Sequence, residues 1–227
     1  MKPRFSNQRN RALTRTDVVV VVAVVAVLAF LAISLLPEGG GNKRRPAQVN
    51  CINNLKTIGI AYRLWEGDNN DEYPMAVSVT NGGAMELVVT GNVTACFRVM
   101  SNELSTPKIL HCPDDKQRTN AMSFSQGFSD ANISYFFSLD AVETYPQMIL
   151  DGDDNLAVDG ARVKPGILIL GTNRTIAWTK ERHKGAGNIG MADGSAQQVT
   201  IAGLNSAIDN CANGIPSNAI SPRWVIP

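Results

Sequence analysis

Histidine is scarce in this 227-residue chain, limited to His111 and His183, and aromatic residues make up only 6% of it. With so few imidazoles, general-base catalysis would rest on His183 alone. The sequence has no Gly-x-Ser-x-Gly elbow, no glycine-rich phosphate loop, no P-loop and no dinucleotide fingerprint. His183, Asp193 and Ser195 are the tempting catalytic trio. However, Asp193-Gly194 has the chemistry of a tight turn, and Ser195 lies in that same turn. No set of nucleophile, base and orienting group can be assembled, so the chain is read as a non-enzyme. Four cysteines, Cys51, Cys96, Cys112 and Cys211, include no Cys-x-x-Cys pair, and their wide spacing argues against a zinc site.

One long apolar run dominates what is present. From Val18 to Leu36 the only polar residue is Ser34, and eight of the 19 positions are valine. As a helix this run would match a bilayer's hydrocarbon thickness of roughly 30 Å. Lys2, Arg4, Arg9, Arg11 and Arg15 precede it. That asymmetry predicts a single-pass membrane protein with a cytoplasmic N-terminus and its C-terminal domain on the far side. A cleaved signal peptide and a plain anchor are the rival readings of the same run. Neither has a use for Asp17, the acid at its mouth.

Charge separates the two parts of the chain. Residues 1–46 carry eight Lys/Arg against two acids, whereas residues 47–227 carry 13 against 18. The remaining stretch of about 180 residues suits one domain. An acidic, aromatic-poor domain is a poor nucleic-acid binder.

Pro37, Gly39-Gly40-Gly41 and Pro46 break the chain after the apolar run. A second helix is predicted from about Ala47 to Glu66, with Cys51, Leu55, Ile58, Tyr62 and Trp65 on one apolar stripe. Short strands are predicted at Met85–Val89, Ile109–Leu110, Asn132–Leu139, Gln147–Leu150, Gly166–Leu170 and Thr175–Thr179. Ala95–Leu104 and about Leu204–Asn213 read as helices, with a coil from there to Trp224. Asn188–Thr200 reads as a hairpin around Asp193-Gly194. The pattern gives an α+β fold, with a transmembrane helix and an amphipathic helix packed on a small antiparallel sheet. Cys51 faces inward on its stripe, and Cys112 ends a strand laid against that helix. Cys51–Cys112 is therefore preferred as a disulfide over Cys96–Cys112.

Ala12-Leu13-Thr14-Arg15-Thr16-Asp17 and the apolar run after it resemble the N-terminus of type IV prepilins and type II secretion pseudopilins. Ala12 stands where that family usually has Gly, and Asp17 stands where it has Glu. The segments Cys51–Tyr62 and Asn102–Pro113, with His183 followed by Asp193-Gly194, resemble bacterial prepilin-like proteins carrying a His-x9-Asp-Gly signature. The role of that signature is unknown.

The resemblance implies cleavage after Ala12 by a prepilin peptidase and N-methylation of Leu13. It also implies assembly in which Asp17 meets the Leu13 ammonium of a neighbour. The chain then divides into a leader (1–12), an assembly helix (13–36), a linker (37–46) and a pilin-like domain (47–227). Its implied partners are other pilin-like subunits and membrane lipid, and its implied location is the inner membrane, single-pass, with a periplasmic C-terminal domain. The expected function is a structural subunit of a type II secretion or type IV pilus-like system. A permanently anchored envelope domain binding calcium or an external ligand is the alternative, and an anchored hydrolase is a remote third.

Some pseudopilins hold calcium in acidic loops, and Asp151, Asp153 and Asn155 have the D-x-D-x-N start of such a loop. Leu156 and Arg162 occupy the positions where an EF-hand needs Gly and Glu. Ca2+ is the one cofactor considered, and a solvated acidic turn is the plain alternative.

Overall fold

The computed structural model describes residues 15–35, 44–171, 174–214 and 222–227. Two compact units divide at Asn42/Lys43. The first contains helix α1, Arg15–Leu35, with Asp17 in its first turn. There the carboxylate faces the positive end of the helix dipole.

Among the described residues no helix is long and apolar enough to cross a membrane. This finding overturns the transmembrane assignment, and with it the single-pass inner-membrane location. Ala12, Leu13 and the triple glycine of the linker lie outside the described residues.

The second unit is α+β. Helix α2, Arg44–Gly67, starts three residues earlier than expected. Pro46 falls in its first turn, where a helix needs no N–H from it. All five residues of the expected stripe are buried. Helices α3 (Met85–Val88), α4 (Val93–Val99) and α5 (Ser101–Leu104) follow. Met85–Val89 is thus helical rather than a strand, because so short an apolar run suits either state. Glu86 decides it by reaching back to Ser78 Oγ and the Val79 N–H. Ile109-Leu110 likewise lies in a 3-10 turn, Pro107–Leu110, which Pro107 opens.

Among the described residues nine strands then form two antiparallel sheets. They are β1 (Tyr135–Ser138), β2 (Ile149–Asp153), β3 (Leu156–Val158), β4 (Ala161–Arg162), β5 (Gly166–Ile169), β6 (Ile176–Trp178), β7 (Gly187–Met191), β8 (Ala196–Val199) and β9 (Arg223–Ile226). Six of them pair in the order β5-β9-β1-β2-β7-β8, and three pair as β4-β3-β6. The sheet content exceeds the small sheet expected of a pilin-like domain, which is the second correction to the predicted fold. Helix α6, Ile201–Gly214, lies between β8 and β9.

Arg223 and Trp224, the end of the expected coil, belong to strand β9, inserted between β5 and β1, and the part of that coil over 215–221 lies outside the described residues. Trp224 stacks on Phe136 at 4.2 Å. On the other face of β1, Tyr135 accepts a hydrogen bond from Asn54 of α2 at 3.3 Å. That face of the sheet therefore looks at α2.

Candidate functional site

Three stretches of chain converge on α2, and each brings charge into the interior. The first is Cys112-Pro113-Asp114-Asp115. Cys51 of α2 and Cys112 form a disulfide, with Cα atoms 5.1 Å apart. Both cysteines are fully buried, while Cys96 and Cys211 are free thiols inside the core.

The second stretch is β2 and its exit. Asp151, Asp153 and Asn155 occupy alternate positions, so they share a face. Asp153 pairs across the ladder with Tyr135, which puts that face toward α2. All three are fully buried. The expected acidic loop is therefore a strand in the core. It is not a solvated turn.

Asp151 lies over Gly190 of β7, where any side chain would overlap its carboxylate. Neither of its oxygens has a hydrogen-bond partner among the described residues. Burial first, and then the neighbouring Asp153, hold its carboxyl well above the usual range. Asp153 is better served. Its Oδ2 accepts from the backbone N–H and side-chain amide of Asn188 at 2.7 and 2.8 Å.

Arg182-His183 and the loop after them make the third stretch. Arg182 is buried and pairs with Asp154 and, at 3.4 Å, with Asp115. It also donates to the Ser134 carbonyl at 3.1 Å. Arg118 reaches the same two carboxylates. Burial pushes Asp115 up, but Arg182 and the hydrogen bonds from Gln117 and Ser134 outweigh it and leave the group below its usual range. These four charges form one network that fixes the backbone beside His183.

His183 itself has φ of +50°, and Lys184 and Gly185 are also left-handed. Backbone strain of this kind costs of order 1–3 kcal/mol and persists only where surrounding contacts enforce it. Here the enforcing contacts are Arg182 and the His183 N–H, which donates to Asp114 Oδ2 at 2.9 Å.

The imidazole of His183 is fully buried between sulfur and carboxylates. Its Nε2 lies 3.4 Å from Cys112 Sγ and 3.3 Å from Asp153 Oδ2, and its Nδ1 lies 3.5 Å from Asp114 Oδ2. Among the described residues, one group of three or more candidate ligands comes within mutual coordinating distance: Cys51, Cys112 and His183. The wide sequence spacing that argued against a metal site is closed by the fold.

The structure does not bring His183 to Asp193. Asp193 is exposed and accepts from the Ser195 N–H at 2.8 Å, which is an Asx turn. Gly194 has φ of +82°, as the turn requires. It also sits against Gly59 of α2, where an added Cβ would come within 3.2 Å of the Gly194 Cα. The Asp-Gly half of the signature is therefore a turn packed closely on a helix, and the His half belongs to the buried site.

Arg118, Asp114, Asp115, Asp154, Arg182 and Asn188 are site residues that sequence reasoning missed. The adjacent acids after Cys112-Pro113, matched by Arg182-His183, were the available signal.

No family model, no curated protein and no solved structure matches this chain.

Proposed function

We propose that the chain is a pilin-like structural subunit that assembles with other pilin-like subunits through α1. The observation behind this is the surface of α1. Val18 through Val22, Val24, Val25, Val27, Leu28 and Leu31 are all more than half exposed. A helix with apolar residues all round needs cover on every side, and a partner packed on one face leaves the rest bare. Like helices packed side by side supply that cover, so the occupant is α1 of further subunits. The second unit has its own core and stands as the part displayed. Removal of residues 1–12 by a prepilin peptidase, a loss of about 1.4 kDa, would leave Asp17 in the first turn of the assembling helix.

Cysteines introduced singly at Val20 and Val24 of the full chain in mild detergent test this. Oxidative cross-linking between copies is the expected outcome, reduced by Asp17→Ala and retained by Asp17→Glu. Protein that stays monomeric at both positions would refute the assembly.

A further inference from the structure

We propose that Cys51, Cys112 and His183 form a redox-gated site for a thiophilic divalent metal ion of the Zn2+ class, closed while the disulfide stands and opened by its reduction. A disulfide that only staples two segments needs no imidazole against it, and an apolar side chain would fill that space at less cost. Instead a fully buried His183, held in a left-handed backbone, lies with Nε2 at 3.4 Å from Cys112 Sγ. In a tetrahedral centre with metal–sulfur bonds of about 2.3 Å and metal–nitrogen bonds of about 2.0–2.1 Å, the sulfur–nitrogen edge is about 3.5 Å. The observed separation is already that edge.

The groups around the ring fit the same role. A histidine that ligates through Nε2 commonly gives its Nδ1 proton to a carboxylate, which fixes the ring and sharpens its basicity. Asp114 Oδ2 is placed for this, 3.5 Å from Nδ1. Asp153 Oδ2, 3.3 Å from Nε2, puts a carboxylate within reach of the fourth position. Among the described residues, its Oδ1 and His183 Nδ1 are both buried without a hydrogen-bond partner. Such orphaned polar atoms are uncommon in a finished core. A surface cleft of about 470 Å3 is lined in part by Asn50, His111 and Pro113, which flank the two cysteines in the chain.

The chemistry balances. A dithiol reductant passes two electrons and two protons to the disulfide, becomes a disulfide itself, and leaves Cys51 and Cys112 as thiols. The incoming ion displaces both thiol protons to solvent and is neutralised by two thiolates. Reoxidation reverses both steps and releases the ion.

Co2+ added to the full chain tests the proposal. The oxidised protein should bind none at this site. After reduction with a phosphine, one equivalent should bind, with thiolate-to-cobalt charge-transfer absorption and the visible bands of a tetrahedral centre. His183→Gln should lower that affinity at least about a hundredfold, and Asp114→Asn about tenfold. Both variants should melt as cooperatively as the wild type while oxidised. If reduction unfolds the chain, one equivalent of Co2+ should refold it, read by circular dichroism. Reduced protein that neither binds Co2+ nor refolds with it would overturn the site. So would His183→Gln protein that binds as tightly as wild type, since the thiols would then be acting alone.

Discussion

Helix α1 and the region around His183 break the same rule of protein interiors in opposite senses. In α1 a run of valine and leucine side chains lies exposed. Around His183, by contrast, Asp115, Asp151, Asp153, Asp154 and Arg182 are all buried. Each region carries a cost that its own residues do not fully offset. For α1 the missing term is apolar cover, worth about 25 cal/mol for each Å2 removed from water. For the second region it is charge and hydrogen bonding. Arg182 and Arg118 supply much of it to Asp115 and Asp154, while burial beside Asp153 pushes the Asp151 carboxyl well above its usual range. The first region therefore calls for like helices, and the second for compensating charge inside the domain.

Breaking the covalent link of the second region should have the largest effect. The Cys51–Cys112 disulfide spans a sequence separation of 61, and the Cys51→Ser/Cys112→Ser double variant should lose about 4 kcal/mol. In a unit of this size that lowers the melting temperature by about 10 °C, measurable by scanning calorimetry. An unchanged melting temperature would mean that the non-covalent network alone holds these segments together.

Arg182→Met should come next, at about 3 kcal/mol. Removing one partner of a buried pair usually costs about 3–5 kcal/mol. Arg118 remains to answer Asp154 and Asp115, which keeps the loss at the lower end. Urea titration checks this. A midpoint equal to wild type would show that Arg118 suffices.

Glu66 supplies a pH dependence. Burial, and then the nearby Glu143 carboxylate, raise it to about 7 against an ordinary 4.5. A carboxyl whose folded pKa is raised is more easily ionised in the unfolded chain. Its contribution to stability is therefore whole below pH 4.5 and is lost as pH rises to about 7. Glu66→Gln should remove this slope and stabilise the protein above pH 7 by on the order of 1–3 kcal/mol. If the two proteins lose stability in parallel over that window, Glu66 is not the source.

The smallest effect sharpens the contrast with α1. With the reporter cysteine at Val24, Val21→Asn/Val25→Asn, both at exposed positions, should abolish cross-linking between copies yet shift the melting of the second unit by less than about 0.5 kcal/mol, as surface changes do. A large shift would show that α1 contributes to that unit's core.

The sequence foretold some of this architecture, and the reasons are local. Cys51, Leu55, Ile58, Tyr62 and Trp65 announce α2 because a packed helix repeats every 3.6 residues. Asp193-Gly194 announces its hairpin because a tight turn demands positive φ. Asp159-Gly160, with φ of +51° and +81°, carries the same signal for β3 and β4, masked by its neighbours in the sequence. It sits among acids that read more readily as a metal loop. Strand β2 was hidden for a deeper reason. Asp151-Gly152-Asp153 is built of residues that strands avoid, and only its partners Gly190, Asn188 and His183 make it a strand. His183 drew notice at once, but its acidic partners were sought ten residues away in sequence. They are Asp114 and Asp153, which only the fold brings near.

Strand β9 has a consequence for how the chain reaches this structure during synthesis. It lies between β5 and β1, yet it is made after every other strand of the sheet. Until it emerges, β5 has no neighbour in that sheet, and β1 keeps one open edge with Phe136 uncovered by Trp224. The nascent chain therefore holds a partly zipped sheet with a slot waiting. Pairings between residues this far apart in sequence are slow to find. While the slot is open, any extended segment that fits it competes with β9, so the dangerous interval for this protein is the one before that last strand arrives.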